Sequence, residues 1–175
     1  SLLKKKDAAS REVLRSTLLK VAAMVQSGEL TGARLSELRA QLGDSLAALL
    51  PANGESGDSL ALEASLVMVG WQEERAAGFL RDSLTNLQLG DEQRALALES
   101  LAAVRDPGLL GLAALLIGPK SSPMLRGRAI DGLARYDQPE VAAIVRDFLG
   151  RELQYPQRLR WTVLTAADEL FRIAQ

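Results

Sequence analysis

The chain has no cysteine and no histidine among its 175 residues. That removes disulfides, thiolate nucleophiles, zinc sites of the usual Cys and His type, haem attachment through Cys-x-x-Cys-His, and every triad that uses an imidazole. The missing thiols leave the compartment open, since such a chain is at home in the cytosol or the periplasm. Aromatics are scarce, at 4%, and abundant Leu and Ala favour helices over sandwiches and barrels. No apolar run approaches the roughly 18 residues of a membrane span, and the opening SLLKKKD lacks a signal-peptide core. It also lacks a methionine, so the expectation is a trimmed or excised segment of a longer polypeptide. Gly108, Gly111 and Gly118 fit no phosphate-cradling pattern. The formal net charge of -1 disfavours a general nucleic-acid or membrane-surface binder. Residues 51–123 carry ten acids against five bases and the remainder sixteen bases against twelve acids, a mild dipole that reads as a solvated surface.

What is present is repetition. RALALESLAAVRDPGLLGLAALL from Arg94 and RGRAIDGLARYDQPEVAAIVRDFL from Arg126 align at an offset of 32 residues. Arg94 then falls on Arg126, Ala97 on Ala129, Leu101 on Leu133, Pro107 on Pro139 and Leu112 on Ile144. The same step carries Leu66 to Leu98 and Ile130, Leu80 to Leu112 and Ile144, and Leu84 to Leu116 and Phe148. A fixed period of this size marks stacked units, each too small to bury its apolar face alone.

Taken in order, Leu14, Leu18, Val21 and Val25 predict a helix over 7–26, stopped by Ser27 and Gly28. Leu35, Leu38, Leu42, Leu46 and Leu49 predict a second, from Thr31 or Gly32 to Leu50, which Gly43 and Asp44 can bend or split. PANGESGD is a loop. Helices over 60–69 and 73–89 follow, with Gly90 as stop and Asp91 as the next N-cap. Ala97, Leu98, Leu101 and Val104 face inward, then Asp106 and Pro107 open a helix burying Leu109, Leu112, Ala113 and Leu116. In the next unit Ala129, Ile130, Leu133 and Tyr136 lie inside. There Asp137 serves the turn and Gln138 stands as the cap before Pro139. A last helix, 157–175, keeps Arg158 at the third step and has no partner helix, which suggests truncation.

An arginine, a small residue three later, a leucine four beyond it, then Asp-Pro or a near equivalent opening the next helix: this pattern resembles the HEAT repeat. It is clear from Asp91 to Pro156 and extends back toward Ser59. The resemblance implies an all-α, right-handed α-α superhelix of about nine helices in HEAT-like pairs. Its parts are one solenoid domain over 1–175, with a divergent pair at 1–50, repeats at 59–90, 91–123 and 124–156, and a terminal helix at 157–175. It further implies a non-catalytic protein-interaction or spacer module with no cofactor and no metal. The partner would be another protein or neighbouring domains of the same chain. LRGRAIDGLARYDQPEVAAIV, Leu125 to Val145, also looks like the HEAT segment of large bacterial secreted proteins. There a dehydrogenase-like propeller precedes the repeats and a cytochrome c domain follows them. That likeness implies a periplasmic or cell-surface location; without it the cytoplasm is the expectation.

Arg94, Arg126 and Arg158 form a ladder at one place in successive units. They read as braces on carbonyls or aspartates of the inter-helix turns, with Asp106 and Asp137 as partners. A ladder for an acidic ligand is the other reading. In HEAT-like arrays the second helices line the concave face, which nominates Arg81, Arg146, Asp147 and Arg151 as contacts. The C-terminal arginines Arg126, Arg128, Arg135, Arg146, Arg151, Arg158 and Arg160 lie among Tyr155 and Trp161, a composition that can grip phosphates and stack bases. Seven acids, from Asp131 to Glu169, almost cancel them, so surface pairing is the preferred reading. DNA glycosylases of HEAT-like build use a carboxylate, an arginine and tryptophans in a cleft, which would here be Asp168, Arg160, Trp71 and Trp161. The chain lacks the basic balance such a duplex binder needs. Trp71, after Gly70, reads as a packing plug at a helix junction.

Overall fold

Apolar residues at steps of three and four fold as helices throughout the residues described by the computed structural model, 8–51 and 58–152, the side chains of 149, 151 and 152 excepted. In chain order these are α1 (Ala8–Gln26), α2 (Gly32–Ala47), α3 (Ala61–Met68), a 3-10 turn (Val69–Trp71), α4 (Glu74–Thr85), α5 (Asp91–Ala103), α6 (Pro107–Leu116), α7 (Pro123–Leu133) and α8 (Pro139–Glu152). The fold is all-helical, with no strand among the described residues. The helix expected over 157–175, with Arg158, Arg160, Trp161 and Asp168, lies outside them, as does Tyr155.

Local chemistry sets the boundaries. Three helices open on proline, where a missing N–H costs nothing. Asp106 caps α6 by accepting from Leu109 N–H at 3.1 Å, and Ser122 caps α7 by accepting from Leu125 N–H at 3.3 Å. The N-cap of α5 is Gly90, not Asp91, which is already the first helical residue. Gln93 reaches back to accept from Gly90 N–H at 3.3 Å, and Asp91 sits where the helix dipole favours an anion. α2 runs unbroken through Gly43 and Asp44. α4 stops at Thr85, short of the expected Leu89, because the Asn86 side chain takes Gln88 N–H at 2.9 Å and turns the chain. Leu87 is consequently exposed.

The helix starts recur as the sequence period predicts. α7 starts 32 residues after α5, at Pro123 against Asp91, and α8 starts 32 after α6, at Pro139 against Pro107. Core positions recur with them: Leu66, Leu98 and Ile130 are all buried, as are Val69, Leu101 and Leu133, and Leu84, Leu116 and Phe148. Val104, Leu112 and Ile144 are half-buried instead of enclosed. Two turns share a backbone device, with Gln72 before α4 (φ 60) and Arg105 before α6 (φ 53) both left-handed. Each costs roughly 1–2 kcal/mol for a side-chain-bearing residue.

The chain divides into two compact units, Ser1–Asp82 and Ser83–Gln175. In the first, α3 lies against α1 and α2, and the 3-10 turn touches all three. Every residue of α3 is buried, and Trp71 plugs the junction that follows. In the second, α5 packs along α7, while α6 meets α5, α7 and α8. Gly132 of α7 lets the backbones approach, for a Cβ there would stand 3.2 Å from that of Ala102 on α5.

Candidate functional site

Within the second unit the arginine and aspartate positions resolve into specific bonds. Arg94 is buried; its Nε donates to Leu84 O at 3.0 Å and its guanidinium pairs with Asp91 at 3.3 Å. It makes no bond to Asp106, the aspartate expected beside it, because it reaches back to the preceding turn and the Asp106 carboxylate is turned to the α6 cap. Arg126 is half-buried on α7. Asp137 pairs not with a ladder arginine but with Arg105, at 3.4 Å and largely in solvent. The two partners stand 32 residues apart, at matching turns of successive helix pairs.

These turns are tied more tightly below the surface. Tyr136, 2% exposed, donates its hydroxyl to Asp106 O at 2.8 Å, linking the α7–α8 turn to the start of α6. Burial pushes the phenol well above its ordinary pKa and Asp106 adds to this, while the charges of Arg105 and Arg135 act the other way. Both guanidiniums therefore act electrostatically on the same buried hydroxyl. Tyr136→Phe should cost about 1 kcal/mol, since the Asp106 carbonyl loses one donor but keeps the Leu109 N–H, while the ring still fills its place. An unchanged urea midpoint would show that the bond contributes nothing.

Between the two turns lies an open depression of about 420 Å³, lined by Ala102, Ala103, Arg105, Ala134, Arg135 and Asp137. In the sequence Arg135 stands out only as one of the C-terminal basic residues, and Arg105 does not stand out at all. The available signal was the offset itself, which sets Arg105 on Asp137.

The positions nominated for a concave face fall in different units. Arg81, half-buried on α4, pairs with Glu74 of the same helix. Arg146 and Asp147 are exposed side by side on α8 with Glu140 and Ala143. α6 exposes only Pro107, Gly111, Ala114 and Leu115, so the charge on α8 has no counterpart there. The side chain of Arg151 is outside the described residues.

A polar seam joins α1 to the start of α3 in the first unit. Arg11 grips Asp58 through both carboxylate oxygens, at 2.9 and 3.2 Å, and Arg15 Nε donates to buried Glu63 at 2.9 Å. The second oxygen of Glu63 is buried without a donor. Partial burial pushes the Asp58 carboxyl up, but the Leu60 N–H and Arg11 more than reverse this and hold it below its ordinary value. Its contribution to stability is thus present above the ordinary carboxylate range and lost as pH falls through the lowered value. Asp58→Asn should flatten the acid side of a plot of denaturation midpoint against pH; a slope equal to that of the parent would dismiss the linkage.

Among the described residues no three carboxylates gather to hold a metal ion, and no helix is long and apolar enough to cross a membrane. No protein family matches the chain, and neither a curated protein nor a solved structure is similar to it.

Proposed function

We propose that this chain is a non-catalytic protein-interaction or spacer module, a right-handed solenoid of HEAT-like helix pairs belonging to a larger bacterial polypeptide. The observation that carries this reading is the common step of 32 residues in helix starts from α5 to α7 and from α6 to α8, with buried positions recurring at the same step. Units that share a phase and bury their apolar faces on one another are the physical basis of a stacked array. In such an array the exposed even-numbered helices form the recognition face, and α8 offers Arg146 and Asp147 there.

The test is twofold. Cross-linking from the position of Arg146 in the full-length protein should trap a protein partner or a neighbouring domain. Arg146→Ala with Asp147→Ala should abolish the capture while the helical circular dichroism stays intact. The full-length reading frame should continue beyond Gln175. A chain that ends there and captures nothing, or that shifts labelled DNA in a salt-dependent way, would defeat the reading.

A further inference from the structure

We infer that the depression between the α5–α6 and α7–α8 turns is a carboxylate-binding site, and that its occupant is a glutamate or aspartate side chain of an acidic peptide segment. This rests on the reading of the chain as an interaction module and names the chemistry of its partner. Four observations carry it.

The carbonyls at the two helix ends beside the depression are engaged. Leu101 O, Ala102 O, Gly132 O and Leu133 O at the ends of α5 and α7 accept from the backbone N–H groups of Asp106, Arg105, Arg135 and Tyr136, and Asp106 O accepts from the Tyr136 hydroxyl. Those bonds also offset the negative ends of the two helices. The donors, in contrast, are in excess. Arg135 has no hydrogen-bonded or ion-paired side-chain partner among the described residues, and Arg105 has only the long, solvent-exposed contact to Asp137. Exposed pairs of that kind contribute at most about 1 kcal/mol, so Asp137 is a counterion that a better acceptor displaces.

The arginines are also placed. Arg105 is held in the left-handed region at φ 53, where a glycine would sit without strain. The hydrogen bond from Tyr136 to Asp106 O fixes the spacing of the two turns that bear the guanidiniums. Finally, Ala102, Ala103 and Ala134 put nothing bulkier than a methyl in the depression, leaving about 420 Å³ for a side chain and part of its backbone. Two planar forks line an open space in which Asp137 supplies the one lining carboxylate, and such forks suit bidentate capture of a carboxylate. The attraction is local, because the chain as a whole carries a formal charge of -1.

The experiment is a titration of the full nitrogen-15-labelled chain with acetylated tetraglutamate, read at the arginine Nε–Hε resonances. The expected result is a saturable shift of the Arg105 and Arg135 signals that weakens with added salt. Arg135→Ala should weaken binding about tenfold or more, as for loss of a hydrogen bond to a charged group. Arg135→Gln, which keeps part of the stem, should do the same. Arg128→Ala, removing a guanidinium that pairs with Glu99 on the α5–α7 seam instead, should leave binding unchanged. A shift that never saturates, equal binding by Arg135→Ala, or tighter binding of inorganic phosphate than of the peptide would overturn the proposal. Because this uses the purified chain and a synthetic peptide, it separates the two readings. Peptide binding with no partner trapped from Arg146 leaves the site standing and removes the interaction face on α8. A trapped partner with no peptide binding does the reverse.

Discussion

Leu66→Ala is expected to destabilise the protein by about 2–5 kcal/mol, the range for truncating a buried leucine whose surroundings relax only in part. Leu66 is 1% exposed and sits in the middle of α3, all of whose residues are buried. α1 and α2 both pack on that helix, so a void there withdraws contacts from more than one neighbour. Chemical denaturation followed by circular dichroism measures the effect. A loss below about 1 kcal/mol would mean that α3 is not the packed centre of its unit.

Gly70→Ala is the second large effect, and its cause is the opposite one. A Cβ at this position would fall 2.1 Å from Val25 Cγ1 and 3.4 Å from Val25 Cβ. Val25 is β-branched and lies on a helix, so it has one strongly preferred rotamer with which to yield. Overpacking of this kind costs about 1–3 kcal/mol. The companion substitution identifies the mechanism: Val25→Ala combined with Gly70→Ala should be more stable than the sum of the two single losses predicts. Strict additivity would place the damage somewhere other than this contact.

Much of the second unit was legible because its signals are local. Pro107, Pro123 and Pro139 mark helix starts through a property of one residue, and Ala129, Ile130, Leu133 and Tyr136 reveal their burial by spacing alone. What escaped depends on neighbours in space or on competition between adjacent groups. Asp91 has the right chemistry for a cap, yet Gly90 takes that position with help from Gln93 three residues on. The end of α4 turned on one asparagine side chain outcompeting the helix for an N–H. Leu112 and Ile144 match the fully buried Leu80 in period but are only half-covered, since period gives the face of a helix and not what lies over it. The depression was hidden for the same reason. Arg105 looks like an ordinary turn residue until Arg135 and Asp137 line the same depression with it.

Asp106 carries two duties in one residue: its carboxylate starts α6 and its carbonyl holds Tyr136. If the α5–α6 pair melted alone it would release both together, exposing a buried phenol and an uncapped helix end at once. The opening of the α5–α6 pair is thereby coupled to the α7–α8 turn, and hydrogen exchange is expected to show amides of α5 and α7 sharing an opening free energy.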